Sequence, residues 1–408
     1  MRAVRRDPRG GHELVPCRDR RRGALRRRSW SPPQEKGGPA LSFARDASSQ
    51  GQVAPLGVAV VGTGLAGRMH VNGLRLLPGA RVIGAAGSSA EKAAAFAGQM
   101  GLPRAYRDID ELMDDPAVAV VHVCTPPHTH VALVQRLAAA GKHLLVDKPI
   151  ARNLAEADAV IDACARAGVL LSGLFQHRYI PQAVAVKRAV QAGTLGDIYL
   201  ADCYVKWWRD DAYYAGSAWR ARQATEGGGA LINQAIHSLD LLQWLCGPVL
   251  EVAGRVATVA HTIETEDVGV ATLLLAGGRG GASRPALGVM EGTTAAYPGF
   301  PERLELHGTG GSVVLDEGRR RLEWYLRGQA PQVDAAGAPQ GNASDPAAVS
   351  PEAHAAAFAD FLTAVRCGGQ PAVDGREARR ALEVVEAIYR SSAAGGTPVR
   401  LPLEAPPR

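Results

Sequence analysis

Val58-Ala59-Val60-Val61-Gly62-Thr63-Gly64-Leu65-Ala66-Gly67 sets an apolar run, a glycine-rich turn and the opening of a helix in direct succession. Gly62 permits the tight turn, Gly64 lets backbone approach a pyrophosphate, and Gly67 allows the helix to pack closely on the strand. The unpaired amides at the helix N-terminus then face phosphate charge. Glycine-rich turns also occur for purely structural reasons. It is the strand-turn-helix setting that makes Gly62, Thr63, Gly64, Leu65, Ala66 and Gly67 a dinucleotide-binding segment.

Working outward, short apolar runs alternate with stretches of helix length. Gly57 to Val61 is followed by a helix from about Leu65, then Arg81 to Ala86, a helix through Glu91 to Met100, Val118 to Cys124, a helix from His130 to Ala140, and His143 to Val146. Strands alternating with helices predict βαβ units and a parallel sheet, an α/β Rossmann domain over residues 53–175. Beyond about Gln176 the order changes. Strand-like segments at Ile198 to Val205, Val252 to Val259, Asp267 to Leu275, Arg303 to His307 and Ser312 to Leu315 surround one long helical segment from Gly228 to Cys246. Residues 176–408 therefore read as an α+β domain with a largely antiparallel sheet. The stretch from Gly328 to Pro351, rich in Ala, Gly and Pro, reads as a mobile excursion, and His354 to Arg366 and Arg376 to Ser391 as two closing helices.

A chain of 408 residues with 46% hydrophobic content can fill two cores. Its formal net charge of +6 is unevenly spread: residues 1–50 hold 13 Lys/Arg against 5 Asp/Glu, leaving 33 against 35 for the remainder. The basicity belongs to the tail, so the body lacks the clustered positive charge of a nucleic-acid reader. Residues 1–52, with Arg20-Arg21-Arg22 and Arg26-Arg27-Arg28 among Pro, Gly and Ser, show no periodicity and read as a disordered extension. No run of about 18 apolar residues spans a membrane, and no secretory signal precedes the body, so a cytoplasmic location is expected. The six cysteines form neither CxxC pairs nor clusters with His at zinc spacing, and are expected as buried thiols without a metal.

The strand Arg81 to Ala86 runs into Gly87-Ser88-Ser89 with no acid to bind a ribose 2′-hydroxyl. Without that carboxylate nothing repels a 2′-phosphate, and the Ser88 and Ser89 hydroxyls are candidate donors to it. NAD and NADP are both admitted, with NADP tolerance expected.

Two further features carry chemistry. One is Asp147-Lys148-Pro149, at the end of an apolar strand; the other is the run from Gly227 to Asp240, in which Asn233, His237 and Asp240 are spaced four and three residues apart and fall on one helix face. Leu231, Ile232, Ile236, Leu239, Leu241, Leu242 and Trp244 surround them with apolar bulk, and buried polar groups need partners or a function. Singly, His237 reads as a satisfied core histidine and Lys148 as a solvated strand end. Together they supply what oxidation of an alcohol requires, a group that takes the hydroxyl proton as hydride leaves for a nicotinamide.

With these residues in place, the sequence resembles the Gfo/Idh/MocA oxidoreductase family from about Leu56 to Leu403. The resemblance rests on GTGLAGRMH with His70, CTPPHTH from Cys124 to His130, the DKP of Asp147 to Pro149, QHRYIP from Gln176 to Pro181, GGGALINQAIHSLDLLQWL from Gly227 to Leu245, and the closing PAVDGREARRALEVVEAIY, all in family order. It implies a Rossmann domain, a C-terminal domain whose open sheet often forms subunit contacts in a dimer or tetramer, and oxidation or reduction of a sugar or cyclitol hydroxyl. Carried over by position, it makes Lys148 the lysine near the reacting carbon and His237 the acid/base, with Thr125, Pro126, His130, Asp147 and Lys148 beside the nicotinamide. Two positions depart from the family pattern: Asp147 replaces the usual Glu before the lysine, and Asn233 replaces an Asp four residues before the histidine. His237 is expected as base, Lys148 as the group that orients and polarises the hydroxyl, and Asn233 as a hydroxyl-positioning group.

Asn233, together with Trp207, Trp208, Arg209, Tyr213, Tyr214, Trp219 and Arg220, is similar to the branch acting on glycosides, anhydrosugars or nucleotide-linked sugar acids. Gln176, Arg178, Trp207, Tyr213, Tyr214, Trp219 and Arg220 join Asn233 and His237 as candidate substrate contacts, although core and rim packing accounts equally well for about half of the aromatics. Two rival readings stand beside the sugar or cyclitol dehydrogenase. A nucleotide-sugar 3-dehydrogenase would use Arg178, Arg209, Arg220 and Arg222 as a diphosphate clamp; a non-catalytic NAD(P)-binding regulator would keep the fold without Lys148 and His237 at work.

Overall fold

The apolar runs at the start of the body form a six-stranded parallel sheet. In a computed structural model of the chain, residues 54–277, 284–316, 321–335 and 351–403 are described, within one compact unit over residues 53–408. The first sheet contains β1 (Leu56–Val61), β2 (Ala80–Ala86), β3 (Arg104–Tyr106), β4 (Val120–Val123), β5 (His143–Val146) and β6 (Leu171–Gly173). Crossing between them are α1 (Leu65–Arg75), α2 (Ala90–Met100), α3 (Ile109–Asp114), α4 (His130–Ala139) and α5 (Leu154–Ala167). The strand order β3-β2-β1-β4-β5-β6 reverses direction between β1 and β4, and a crevice opens there at the C-terminal strand ends. All four residues of β4 are buried, as a strand covered by helices on both faces requires.

The chain then builds α6 (Pro181–Ala192), β7 (Ile198–Lys206), α7 (Asp211–Ala215), α8 (Gln223–Glu226), a π-helical turn at Leu231–Ala235, and α9 (Ile236–Cys246). β8 (Val249–Ala257), β9 (Val268–Leu275), β10 (Ala286–Thr293), β11 (Arg303–Gly308), β12 (Gly311–Asp316), β13 (Arg321–Leu326) and β14 (Gln332–Ala335) follow, and α10 (Pro351–Cys367), α11 (Gly375–Ala393) and β15 (Val399–Arg400) close the chain. Nine strands form the second sheet in the order β14-β13-β12-β11-β7-β10-β9-β8-β15. Its pairs are antiparallel except for β7 with β10. α9 packs on β7, so one face of the sheet is covered. The other face leaves Leu287 63%, Tyr199 54% and Val270 46% exposed.

The expected division near residue 175 separates the two sheets but not the helical layers. α10 returns to pack on α1, and α11 packs on α5, α9 and β8, so the last two helices bind the sheets to each other. β10, β13 and β14 did not stand out in the sequence. β14 occupies part of the segment read as a mobile excursion, and residues 336–350 of that segment lie outside the described residues, as do residues 1–52. The long helix expected from Gly228 begins with the π turn and continues as α9. Four described cysteines are buried thiols as expected, but Cys367 at the end of α10 is exposed.

Candidate active site

The glycine turn is shaped by a carbonyl close behind it. Gly62 has φ +123°, and a Cβ there would lie 2.4 Å from the Cys124 carbonyl oxygen, so only glycine lets β1 and β4 converge at the crevice. A Cβ at Gly67 would lie 2.1 Å from the Gly62 oxygen, whereas one at Gly64 would meet open space. No side chain caps α1, whose N-cap is Gly64 and whose first turn has no acid. Helix amides and an open approach at Gly64 are the fit a pyrophosphate needs. From this turn a cleft of about 530 Å³ extends to the helix of the second layer, a size suited to a small-molecule site.

Lys148 enters the cleft from the turn after β5. Its amine donates to the Asn233 backbone carbonyl at 2.6 Å and to Asn233 Oδ1 at 3.2 Å, joining the ends of the two layers. Burial pushes the Lys148 pKa down, Asp147 and Glu226 oppose the shift, and Arg220 and Arg209 add to it. His237 lines the same cleft, with its ring stacked on His177 at a centroid separation of 4.7 Å. Burial, followed by His177, Lys148 and His354, holds its pKa well below that of a free imidazole. The ring is therefore neutral at neutral pH and offers a lone pair as proton acceptor.

The helix carrying these groups starts against a distant carboxylate instead of a local cap. Glu266 accepts from Gly229 N at 2.8 Å, Leu231 N at 2.9 Å and the Tyr389 hydroxyl at 2.8 Å. A Cβ at Gly229 would lie 1.9 Å from the Glu266 carbonyl oxygen, so glycine is what allows this approach. The π turn then advances the backbone, so that Asn233, Gln234 and His237 all line the cleft. Asp240 does not. It makes a bidentate pair with Arg178, at 2.7 Å and 2.6 Å, and Arg178 also reaches Glu377 at 3.2 Å.

The opposite wall is aromatic and cationic. The Arg220 guanidinium lies 4.3 Å from the Tyr213 ring centroid and 5.2 Å from that of Trp219. Arg209 lies 4.9 Å from the Trp207 centroid and 5.3 Å from that of Tyr213. Asp267 holds the loop after β8 by accepting from the backbone of Val259, Ala260 and His261, and the His261 ring in turn lies 2.8 Å from the Arg209 carbonyl.

Among the cofactor candidates, Gly62, Thr63, Gly64, Leu65, Ala66 and Ser88 line the cleft, as do Thr125, Pro126, Asp147 and Lys148. The substrate candidates Gln176, Trp207, Tyr213, Trp219, Arg220, Asn233 and His237 line it too. Five candidates are placed elsewhere. Gly67 packs behind the turn, and Ser89 caps α2 by accepting from Lys92 N. His130 is fully buried, with its ring nitrogens at 3.2 Å and 2.8 Å from the carbonyls of Ile150 and Thr125, so it braces the loop and does not line the cleft. Arg178 is the buried partner of Asp240, which corrects its reading as a substrate or diphosphate ligand. Tyr214 turns its hydroxyl to Thr294 at 2.7 Å. The sequence reading missed Lys92, His177, Glu226, Gln234 and His354 in the cleft. Glu226 precedes the glycine run and Lys92 follows Ser88 by one helical turn, the only local signals for either. No cluster of His, Cys, Asp or Glu among the described residues is arranged to hold a metal.

Comparison with known proteins agrees with this geometry. Residues 56–175 match the family model of the NAD-binding Rossmann-fold oxidoreductases of the GFO/IDH/MocA group, and residues 183–314 match that family's C-terminal domain. D-apiose dehydrogenase of Paraburkholderia graminis is 30% identical over 85% of this chain and 90% of its own. The chain belongs to the Gfo/Idh/MocA oxidoreductase family. Myo-inositol 2-dehydrogenase of Thermotoga maritima is 28% identical over 64% of this chain and 75% of its own. Among solved structures, the WlbA dehydrogenase of Bordetella pertussis, in complex with NADH and UDP-GlcNAcA, superposes with a TM-score of 0.74 at 27% identity, covering 86% of this chain and all of that one. As a member of this family the protein is an NAD-binding oxidoreductase. No helix among the described residues is long and apolar enough to cross a membrane.

Proposed function

We propose that this protein moves hydride between a ring carbinol of a sugar, glycoside or cyclitol and a nicotinamide dinucleotide, with His237 taking the hydroxyl proton and Lys148 orienting the oxygen. The observation that carries the reading is the meeting of Lys148, from the first layer, with His237, from the second, in one cleft that begins at the glycine turn. The nicotinamide, when bound, accepts or supplies the hydride. Lys148 has three N–H donors, two of which are engaged by Asn233, and the third serves a substrate oxygen. Neutral His237 accepts the proton without a prior charge change. Trp207, Tyr213 and Trp219 offer aromatic faces to the apolar face of a ring. Their relatives' names, an apiose and an inositol dehydrogenase, support this substrate class.

A second reading, a nucleotide-linked sugar acid as substrate, is favoured by Arg209 and Arg220 in the cleft wall and by the UDP-GlcNAcA complex of the WlbA relative. The exposed face of the second sheet suits a second copy of the chain in a cytoplasmic homo-oligomer, because a long strand face with Tyr199, Val270 and Leu287 in the open invites association. Sedimentation velocity is expected to give a dimer or tetramer; a monomer at micromolar concentration would rule this out.

His237→Ala and Lys148→Ala are each expected to lower kcat on an accepted sugar by about 10²–10⁴-fold, with NADH still bound as judged by fluorescence titration. Full turnover in either variant would overturn the role assigned to that residue. Lys92, whose amine donates to Ser88 Oγ at 3.2 Å, supplies the cation at the ribose end that the sequence lacked on strand β2 itself. Kinetics with both dinucleotides are therefore expected to show NADP as a working cofactor, and Lys92→Ala to lower kcat/KM for NADP about tenfold, the equivalent of roughly 1.4 kcal/mol, while sparing NAD. Equal loss with both cofactors would refute this role for Lys92.

A further inference from the structure

We propose that Glu226 is a positioning residue for Lys148: its carboxylate holds the Asn233 side chain so that the amide oxygen faces the lysine amine, and it places an ionisable acid one side chain away from that amine. The inference rests on the dehydrogenase reading for its consequence in turnover.

Three contacts carry it. Asn233 Nδ2 donates to Glu226 Oε1, Lys148 Nζ donates to Asn233 Oδ1 at 3.2 Å, and the Ala221 backbone N–H donates to Glu226 Oε2. Only one orientation of the Asn233 amide satisfies both neighbours, because an ammonium can only donate and a carboxylate can only accept. Glu226 thus decides which end of the amide Lys148 meets. Glu226 is 3% exposed and lines the cleft. Ala221, whose N–H it holds, is the one described non-glycine residue at positive φ, +56°, so the carboxylate also pins the loop leading to the site.

The position matters because residue 233, the side chain that meets Lys148, is an amide. An amide there cannot carry charge, and the buried carboxylate nearest in the hydrogen-bond chain is that of Glu226. The cations facing it are Lys148 and Arg220, and the other titratable groups within its field are Tyr214 and Tyr389. Burial pushes its pKa up to about 7, against the hydrogen bonds from Ala221 and Asn233 and the charges of Arg220 and Lys148. Both oxygens accept, and a proton on the carboxyl removes the charge that strengthens both bonds. Below about pH 7 the hold on the amide weakens, and kcat/KM is expected to fall as pH drops through that value. His237, held well below a free imidazole, titrates lower and does not mask the limb.

The test compares the full chain with Glu226→Gln and Glu226→Asp by two readouts. In the first, the protein is labelled with ¹³C-lysine and the lysine Cε signals are titrated by NMR without substrate, the Lys148 signal being assigned with Lys148→Arg. Glu226→Gln is expected to move the Lys148 midpoint to lower pH, and Glu226→Asp to restore part of the shift. In the second, the pH profile is measured on an accepted sugar, where Glu226→Gln is expected to lose the acid limb near pH 7 and to lower kcat about 10²-fold with KM nearly unchanged. In an Asn233→Ala background the same substitution is expected to cost little further kcat. An unchanged Lys148 midpoint in Glu226→Gln overturns the proposal whatever the turnover. A wild-type enzyme inactive on every sugar and cyclitol tried would instead sink the dehydrogenase reading, and the lysine titration would still decide the role of Glu226.

Discussion

A single lysine amine, donating 2.6 Å to the backbone carbonyl of Asn233, joins the end of a parallel strand to the first turn of a helix that belongs to another sheet. The active site depends on that contact. It fixes the distance between the crevice at the strand ends, where the uncapped helix amides of α1 lie open, and the helix that brings the imidazole. Burying an amine is costly unless it is hydrogen-bonded, and two acceptors from one residue supply that compensation while leaving a donor for a substrate.

The surrounding structure serves to hold the helix start in place. Gly229 and Gly62 perform the same task in different layers: each removes a side chain where a backbone carbonyl must come within van der Waals distance. Glu266, Asp267 and the Arg178–Asp240 pair then take up the polar groups that this close packing would leave orphaned. Arg178 and Asp240 carry charges that are almost fully buried, a pairing whose one-sided loss typically costs about 3–5 kcal/mol, and Glu377 ties a third element to them. These groups stabilise the geometry and do not touch the cleft.

Much of this was legible in the sequence, and the omissions have physical causes. Strand β5 was read with its observed bounds because His143 to Val146 is an apolar run ending in turn residues. Lys148 and His237 were singled out only as a pair, since alone each read as an ordinary residue, and the structure gathers both into one cleft. The row of Asn233, His237 and Asp240 was only partly right, since α-helical spacing cannot anticipate a π turn, which rotates Gln234 into the cleft and lets Asp240 turn to Arg178. Arg178 looked like a ligand because an arginine near a site has no sequence mark that distinguishes a buried ion pair from an anion contact. Glu226 was passed over because a carboxylate before three glycines reads as an ordinary loop end; only the fold brings it beside Asn233. β10 escaped notice because Gly288 and Gly292 interrupt its apolar pattern, although each of those glycines is packed against neighbouring strands or Leu231.

The most direct measurement is the crystal structure of the protein with NADH and a bound sugar or cyclitol. The account predicts one ring hydroxyl within about 2.6–3.2 Å of both Lys148 Nζ and a His237 ring nitrogen, with its carbon facing the nicotinamide. A sugar bound in the cleft with its nearest hydroxyl contacting neither residue would contradict it.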